Sequence, residues 1–492
     1  MAGESARVPL REASRDGGPE QVSGRPCRHQ SEPEPDLGPT PKSFARLCSK
    51  DAAERAAALE ELTQTVLACL ARDRRGSARL GKQTLLPLLR LTRSCPLPDV
   101  RDRAAELLRA AQDRGVEVPR AHALGPSAFI NAKEMLKEGP DQEVMMEAFL
   151  SLGRLDHITM VMALHPAYLS CFLRTQHALL ELDGPLPRPW RHYIVVMELV
   201  CPGAECRWSL AELIHAVVLM AHAHSLASFV WGCGLSPEPD HIGGYAFHPP
   251  SPSHLPCSPH SPAHEDGRAE LVDGGMEVEV LMKRMMELQQ QEECTQEEML
   301  TRFERERSES IPTAVVRGAP PDLVMHLVED PDFSYEDFAP RGEQSPPTMR
   351  AQDYSWEDHG YSLVNRLLPD MGQLLDEKFQ IVCSLTYHRM AMHEGVDTHT
   401  LRKALWNYIH CLYGIRYDDY DYGGVNVLLE RSLKVFVKTV ACHPEQTTAR
   451  IYHSFWRHFR HSEKVHANLI VTEARLQAAL LYTLRAITYY MR

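Results

Sequence analysis

A chain of 492 residues has length for two or three domains, and its 43% apolar content supplies ordinary globular cores. A formal net charge of −13 excludes a general nucleic-acid surface, which needs a basic field, while leaving room for a local basic patch. Thirteen cysteines, an odd number with no CxxC pair, fit reduced and mostly buried thiols of cytosol or nucleus rather than a disulfide framework. No apolar run is expected to span a bilayer: the longest, near Leu213–Met220 and Ala478–Leu484, read as buried helices. Residues 1–41 have no apolar core of signal-peptide type, so the expectation is an intracellular protein, cytoplasmic and nuclear.

Residues 1–42, rich in Pro, Gly, Arg and Glu, read as a disordered tail. A small helical module follows over 43–122. Asp51 with Glu54 resembles a capping box, Leu59, Leu62, Val66 and Leu70 recur at helical spacing, and Thr84–Leu91 and Asp99–Gln112 add two more helices. From 125 to 233 further helices are expected at Met145–Leu152, Ile158–Leu164, Tyr168–Leu182, Trp190–Val200 and Leu210–Val230. A Pro- and His-rich linker occupies 234–275; its five histidines, irregularly spaced, read as solvated loop residues rather than a metal site. One charged amphipathic helix is predicted over 276–307, with Val278, Leu281, Met285 and Leu288 in a stripe. Ser308 and Ser310 after it look accessible to kinases, and a loop over 308–347 leads to a C-terminal lobe. There Met371–His393, Thr398–Tyr413, Val425–Ala441, Glu445–Arg460 and Val465–Met491 read as a helical bundle, so the fold class is all-α.

Within that lobe the runs 401–422 and 455–466 interleave aromatics, guanidinium groups and carboxylates. Such a mixture could hold a small zwitterion, with Arg for a carboxylate, Glu for an ammonium and an aromatic floor for an apolar tail. It is equally compatible with a surface ion-pair network. Cys201 and Cys206 flank Pro202-Gly203 without further ligands at metal spacing. His215 and His222 share a helix face and read as structural histidines; neither a metal nor another cofactor is implied.

The longer runs carry a resemblance. Arg350-Ala351-Gln352-Asp353-Tyr354, Trp356–Leu363, Trp406–Tyr422, Phe455–His466 and Leu484–Thr488 closely resemble the sestrins, as do His165-Pro166, Trp190–Ile194, Trp208–Leu213 and Phe229–Gly234. The resemblance implies two related helical lobes of the alkylhydroperoxide-reductase type joined by a linker, and a stress-responsive leucine sensor that inhibits target-of-rapamycin signalling through the GATOR complex. It places the carboxylate-binding arginine at Arg402, the ammonium-binding acid at Glu463, the pocket floor at Trp456, a wall at Leu401, and the lid at Thr386, Tyr387 and Thr398. A helix N-terminus capped by Asp397 or Thr398 would favour the anion at Arg402. Arg389 stands where the family has Thr, a cation that could reach the ligand, swing to solvent or obstruct closure. Asp418 and Asp419 match the family's acidic pair for GATOR; otherwise they are a solvated turn.

The family's other implied activity, thiol-dependent hydroperoxide reduction, lacks its residues here. The expected Arg-His-Gln-Cys-Ser-Tyr motif is absent between Met197 and Trp208, and Cys201 and Cys206 have none of its neighbours. An internal stretch of the first lobe is missing, which should expose apolar faces. The leading reading is a non-enzymatic leucine-responsive regulator, with a reductase and a helical scaffold with a vestigial pocket as alternatives. Partners beyond leucine and GATOR would be other stress-signalling proteins, with no nucleic acid and no membrane insertion.

Overall fold

A computed structural model describes residues 44–49, 51–72, 82–118, 125–131, 134–135, 141–197, 208–236, 238, 274–289, 295–310, 348–386 and 388–491. The tail 1–42, most of the linker, the loop from 311 to 347, Cys201, Cys206 and Tyr387 lie outside them.

The N-terminal module is three helices, α1 (Ala52–Arg72), α2 (Lys82–Ser94) and α3 (Pro98–Asp113). Asp51 caps α1 by accepting the Ala53 N–H at 2.9 Å, but Glu54 takes the Ser49 hydroxyl at 2.6 Å, so the expected reciprocal box is not made. Leu62, Val66, Leu88, Val100 and Leu107 form its core, which continues into Ala148, Phe149 and Leu155 of the next segment. That segment is α4 (Gln142–Leu152), capped by Asp141 and ended by Gly153 at φ 75°, where a side chain would be strained.

Next come α5 (His157–Met162), α6 (Pro166–Leu180), α7 (Arg188–Met197) and α8 (Leu210–Gly232). Helix α8 opens with a full capping box between Ser209 and Glu212. It corrects one expectation: with a mean hydropathy of 1.6 over its best window, it is long and apolar enough to cross a membrane by length and composition. The reading by short apolar runs missed this because His215, His222 and His224 interrupt the runs without lowering the average far. In the fold 61% of that window is buried, chiefly against the last helix.

The single amphipathic helix expected over 276–307 is two, α9 (Gly274–Gln289) and α10 (Gln296–Ser310), the second capped where the Thr295 hydroxyl accepts the Glu298 N–H at 3.4 Å. Helix α10 is strapped to the C-terminal lobe by Arg302 on Asp421 and by buried Glu306, which takes the Lys434 ammonium at 2.8 Å.

In the C-terminal lobe β1 (Met349–Arg350) precedes a π-turn at Trp356–Gly360, then α11 (Tyr361–Leu367) and α12 (Pro369–Val382). The predicted continuation of α12 to His393 is instead a turn and a hairpin, β2 (Arg389–Met390) with β3 (His393–Glu394). Then come α13 (His399–Leu412), β4 (Ile415–Arg416) in parallel register with β1, α14 (Gly423–Leu428), α15 (Arg431–Cys442), α16 (Ala449–Ser454) and α17 (His461–Tyr490). Thus Val425–Ala441 is broken at Leu429-Glu430, and Glu445–Arg460 yields only α16 and flanking turns. The protein is all-α, its strands two residues each among the described residues.

Three helices recur in the same order in both lobes. α6 and α12 each start on proline. α7 and α13 each carry an arginine at their fourth residue, Arg191 and Arg402. α8 and α17 each open with a glutamate at the third helical position that accepts the cap residue's N–H and is followed three residues on by histidine, Glu212 and His215 against Glu463 and His466. The counterparts pack on each other, α6 on α12 and α8 on α17, around one continuous apolar core. That seam carries a buried polar cluster. The Lys378 ammonium and the Tyr168 hydroxyl both donate to Oε1 of Glu473, at 2.8 and 2.5 Å.

Candidate functional site

The first turns of α13 and α17 bring two buried charges of opposite sign to one short segment, 382–398. Arg402 is 5% exposed and Glu463 4%. At α13 the Asp397 carboxylate accepts the His399 N–H at 2.8 Å, while Thr398, at the cap position, turns its hydroxyl back to the Thr386 carbonyl at 3.4 Å. Of the two expected caps, Asp397 does the work. Burial raises the Cys383 thiol, and the nearby Arg402 cation pulls against that rise; the same cation reaches the His466 imidazole, which burial lowers first.

Glu463 is held from two sides. Its Oε2 accepts the Arg460 N–H at 2.9 Å, the glutamate half of a capping box, and its Oε1 accepts the Ala391 N–H at 2.8 Å, across the hairpin turn. Burial pushes its carboxyl above the usual range, against the pull of these two amides and of the Arg460 and Arg389 cations. A carboxylate has about four acceptor positions, so two remain for an ammonium.

Ala391 and Trp456 are the two non-glycine residues with positive φ among the described residues, at 53° and 44°. Such backbone costs on the order of 1 kcal/mol or more and persists where the surroundings impose it. Ala391 donates to Glu463 from that conformation. Trp456, 6% exposed, lies four residues before the Arg460 cap and stacks on Phe459 at 4.6 Å. Leu401, beside Arg402, is buried at 3%.

The residues expected to form the lid divide. Thr386 bonds His466 Nδ1 at 2.6 Å, and His466 Nε2 meets the Val382 carbonyl at 2.6 Å. A carbonyl only accepts, so Nε2 carries the proton and Nδ1 accepts from the Thr386 hydroxyl. One neutral imidazole thus clamps both ends of 382–386. Burial, with the nearby His165 and Arg402, pushes it down to about 3. Reasoning from sequence quoted His466 in a run without giving it a role; its position three residues after the capping glutamate was the available signal. The same holds for His165, whose Nε2 reaches the Ser462 carbonyl at 2.8 Å and whose ring lies 5.7 Å from that of His466. Arg389 takes the solvent-facing option: its guanidinium sits 3.6 Å from Glu394 across the hairpin, both side chains well exposed.

The acidic turn also divides. Asp418 is bracketed by Arg350, with Nε at 2.8 Å, and by Arg416 at 3.0 Å, whereas Asp419 is exposed. Beside them a cavity of about 300 Å³ lies between α10 and the β1–β4 pair, lined by Met299, Leu300, Arg350, Arg416, Tyr417 and Asp418.

In the first lobe Cys171 and Cys233 are fully buried, and burial pushes their thiols up to about 11 and about 12. His215 and His222 are buried and pushed down to about 4 and about 3, and no group of three metal-ligating side chains occurs among the described residues.

A bundle of paired, related helices with a charged, strained segment at one lobe's helix N-termini defines the class. The family model of the PA26 p53-induced protein (sestrin) matches residues 125–199 and 196–491. The chain belongs to the sestrin family of stress-response proteins. It is 49% identical to mouse Sestrin-2 over 445 aligned positions, covering 76% of this chain and 92% of that protein. It is 45% identical to Xenopus laevis Sestrin-1 over 456, covering 77% and 95%, and 45% identical to mouse Sestrin-3 over 468, covering 77% and 95%. Because 76% of 492 residues is about 374, roughly 70 of the 445 positions aligned to mouse Sestrin-2 have no counterpart here. The two matched segments of the family model overlap at residues 196–199, within the stretch where the sequence reading expects positions to be missing.

Proposed function

We propose that this sestrin is a non-enzymatic, leucine-responsive regulator that inhibits target-of-rapamycin signalling through the GATOR complex. The observation that carries the reading is the buried Glu463 carboxylate, fixed by the amide of a strained Ala391 and facing the same 382–398 segment as the buried Arg402. A guanidinium grips a carboxylate with two parallel bonds, a carboxylate takes an ammonium, and Leu401 with Trp456 offers apolar contact to an aliphatic side chain. Each buried methylene is worth about 0.8 kcal/mol, so discrimination among leucine, isoleucine and methionine is modest, while charged side chains are rejected strongly. Because Arg389 pairs with Glu394 on the solvent side, it does not stand across the segment.

Leucine acts by linkage in this reading. Closure of the lid over the ligand disfavours the form that GATOR binds, and GATOR in turn weakens leucine binding by the same factor. Asp419, exposed beside the lined cavity, is the candidate contact. Thiols pushed far above neutrality are poor nucleophiles, which supports the non-enzymatic side.

The test is thermal unfolding of the purified chain with and without leucine. Saturating leucine raises Tm by mass action, and Arg402→Ala abolishes the rise. A wild-type chain whose Tm ignores saturating leucine overturns the reading.

A further inference from the structure

The turn that carries Asp419 is held in a frame, and part of that frame comes from a distant helix. At the start of the turn Asp418 is bracketed by Arg350 and Arg416. At its end the Asp421 carboxylate accepts the Gly423 N–H at 2.8 Å, which fixes the entry to α14. Between them the buried Tyr422 accepts the Tyr417 N–H on its hydroxyl at 3.0 Å, so the turn closes on itself. Asp419 is left pointing outward as the exposed carboxylate of the run. Two adjacent residues of α10 reach this frame from well over a hundred residues away. Arg302 Nη1 donates to both oxygens of Asp421, each at 2.7 Å. A Cβ at Gly423 would stand 2.8 Å from that same nitrogen, so the glycine leaves the space in which the guanidinium sits. Phe303, fully buried, meets the Tyr422 ring edge-on at 5.1 Å.

We propose that Arg302 is a positioning residue for the partner-binding turn: through Asp421 it sets the direction in which Asp419 is presented. The inference rests on the reading of Asp419 as the GATOR contact. A partner that reads one exposed carboxylate gains affinity when that group is already held in place. The start of the turn is secured by Arg350 and Arg416 beside the β1–β4 pair, independently of α10. Its far end is not. Without the cation on both of its oxygens, the Asp421 carboxylate is free to leave the Gly423 amide, and the turn and the entry to α14 loosen together. Phe303 supplies the burial that seats α10, and Arg302 supplies the direction. The side chains of the Arg302–Asp421 pair are 37% and 30% exposed, so the pair adds little to global stability and acts on the order of the turn. An ion pair of this exposure shifts an equilibrium by about fivefold at most.

The test compares the full chain as wild type, Arg302→Glu and Arg302→Lys, with Asp419→Ala as the reference. Hydrogen–deuterium exchange over residues 417–423 should quicken in Arg302→Glu, where two carboxylates face each other, and stay near wild type in Arg302→Lys, which keeps the cation. Purified GATOR complex, in the absence of leucine, should bind Arg302→Glu about fivefold more weakly and Arg302→Lys nearly as well as wild type, with the same helical circular dichroism in every form. Unchanged exchange over 417–423 in Arg302→Glu overturns the proposal. Exchange that quickens throughout the C-terminal lobe also overturns it, assigning Arg302 to general stability. Full GATOR binding by Arg302→Glu, where Asp419→Ala has lost it, overturns the proposal and leaves the contact reading standing. If Asp419→Ala itself binds like wild type, the contact reading falls and this proposal falls with it.

Discussion

Glu463 and Ala391 are joined across 72 residues by a 2.8 Å bond from a backbone N–H to a buried carboxylate, and Ala391 holds a left-handed φ of 53° to make it. The hairpin between β2 and β3 therefore reports on the first turn of α17. Glu463→Gln keeps a carbonyl oxygen for one amide but places an NH₂ where the other acceptor stood, and it removes the charge an ammonium needs. Leucine should no longer raise Tm, while the ligand-free chain loses about 1 kcal/mol. Paired melts of wild type and variant, each with and without leucine, separate the two effects.

Ala391→Gly removes the Cβ penalty at that φ but frees the unfolded chain. The two effects oppose, so net stability should move by less than about 1 kcal/mol in chemical denaturation. Ala391→Val adds a β-branched side chain to the same conformation and should destabilise by about 1–3 kcal/mol. The contrast between the two variants checks that strain, rather than side-chain packing, is stored at this turn.

Acid should unfold the protein early. His222, His410 and His466 are pushed down to about 3 and His215 to about 4, all by burial first. Their folded pKa values lie below the unfolded value of about 6.5, so the unfolded state binds more protons between those limits and stability falls as pH drops through that window. Each histidine costs up to about 1.4 kcal/mol per pH unit below about 6.5. Glu463 runs the other way. Its raised pKa means that its protonated form is favoured in the fold, so its contribution is present at low pH and lost as pH rises, a smaller effect than four histidines. Melting curves at successive pH values below neutrality should show Tm falling steeply, and His466→Gln should flatten the slope.

The Tyr168–Glu473–Lys378 cluster ties α6, α12 and α17 through one carboxylate oxygen. Lys378 is 1% exposed and Glu473 0%, so removing one partner strands a buried charge. Lys378→Met should cost about 3–5 kcal/mol, whereas Lys378→Met with Glu473→Leu should recover most of that loss. Urea midpoints for the single and double variants give the answer.

Asp418 and Asp419 should separate by phenotype. Asp418→Ala releases Arg350 and Arg416 and should lower Tm, whereas Asp419→Ala should leave Tm unchanged and reduce capture of GATOR from leucine-starved extracts. Equal capture by wild type and Asp419→Ala removes that residue from the interface.

Much of this was legible in the sequence because helix formation is local. The three-and-four spacing of Leu62, Val66 and Leu70, the proline starts of α3, α6 and α12, and the Ser209–Glu212 box each act within a turn or two of backbone. Where a local signal was overridden, the cause was distant. Met371–His393 reads as one helix by composition, yet His466 and Glu463, some eighty residues on, bind Val382, Thr386 and Ala391 and hold that stretch as a turn and hairpin. The stripe of α9 predicted burial correctly at Val278 and Leu281, but nothing local marked the break before Thr295.

Sequence alone settled the helical class, the family and the residues able to carry opposite charges at the site, since periodicity, caps and long matching runs are properties of neighbours along the chain. Only the tertiary structure decided that Arg402 and Glu463 are both buried, that Arg389 turns to solvent and that Asp418 is already paired. Burial and pairing depend on which distant segments meet, and that is not a property of neighbours along the chain.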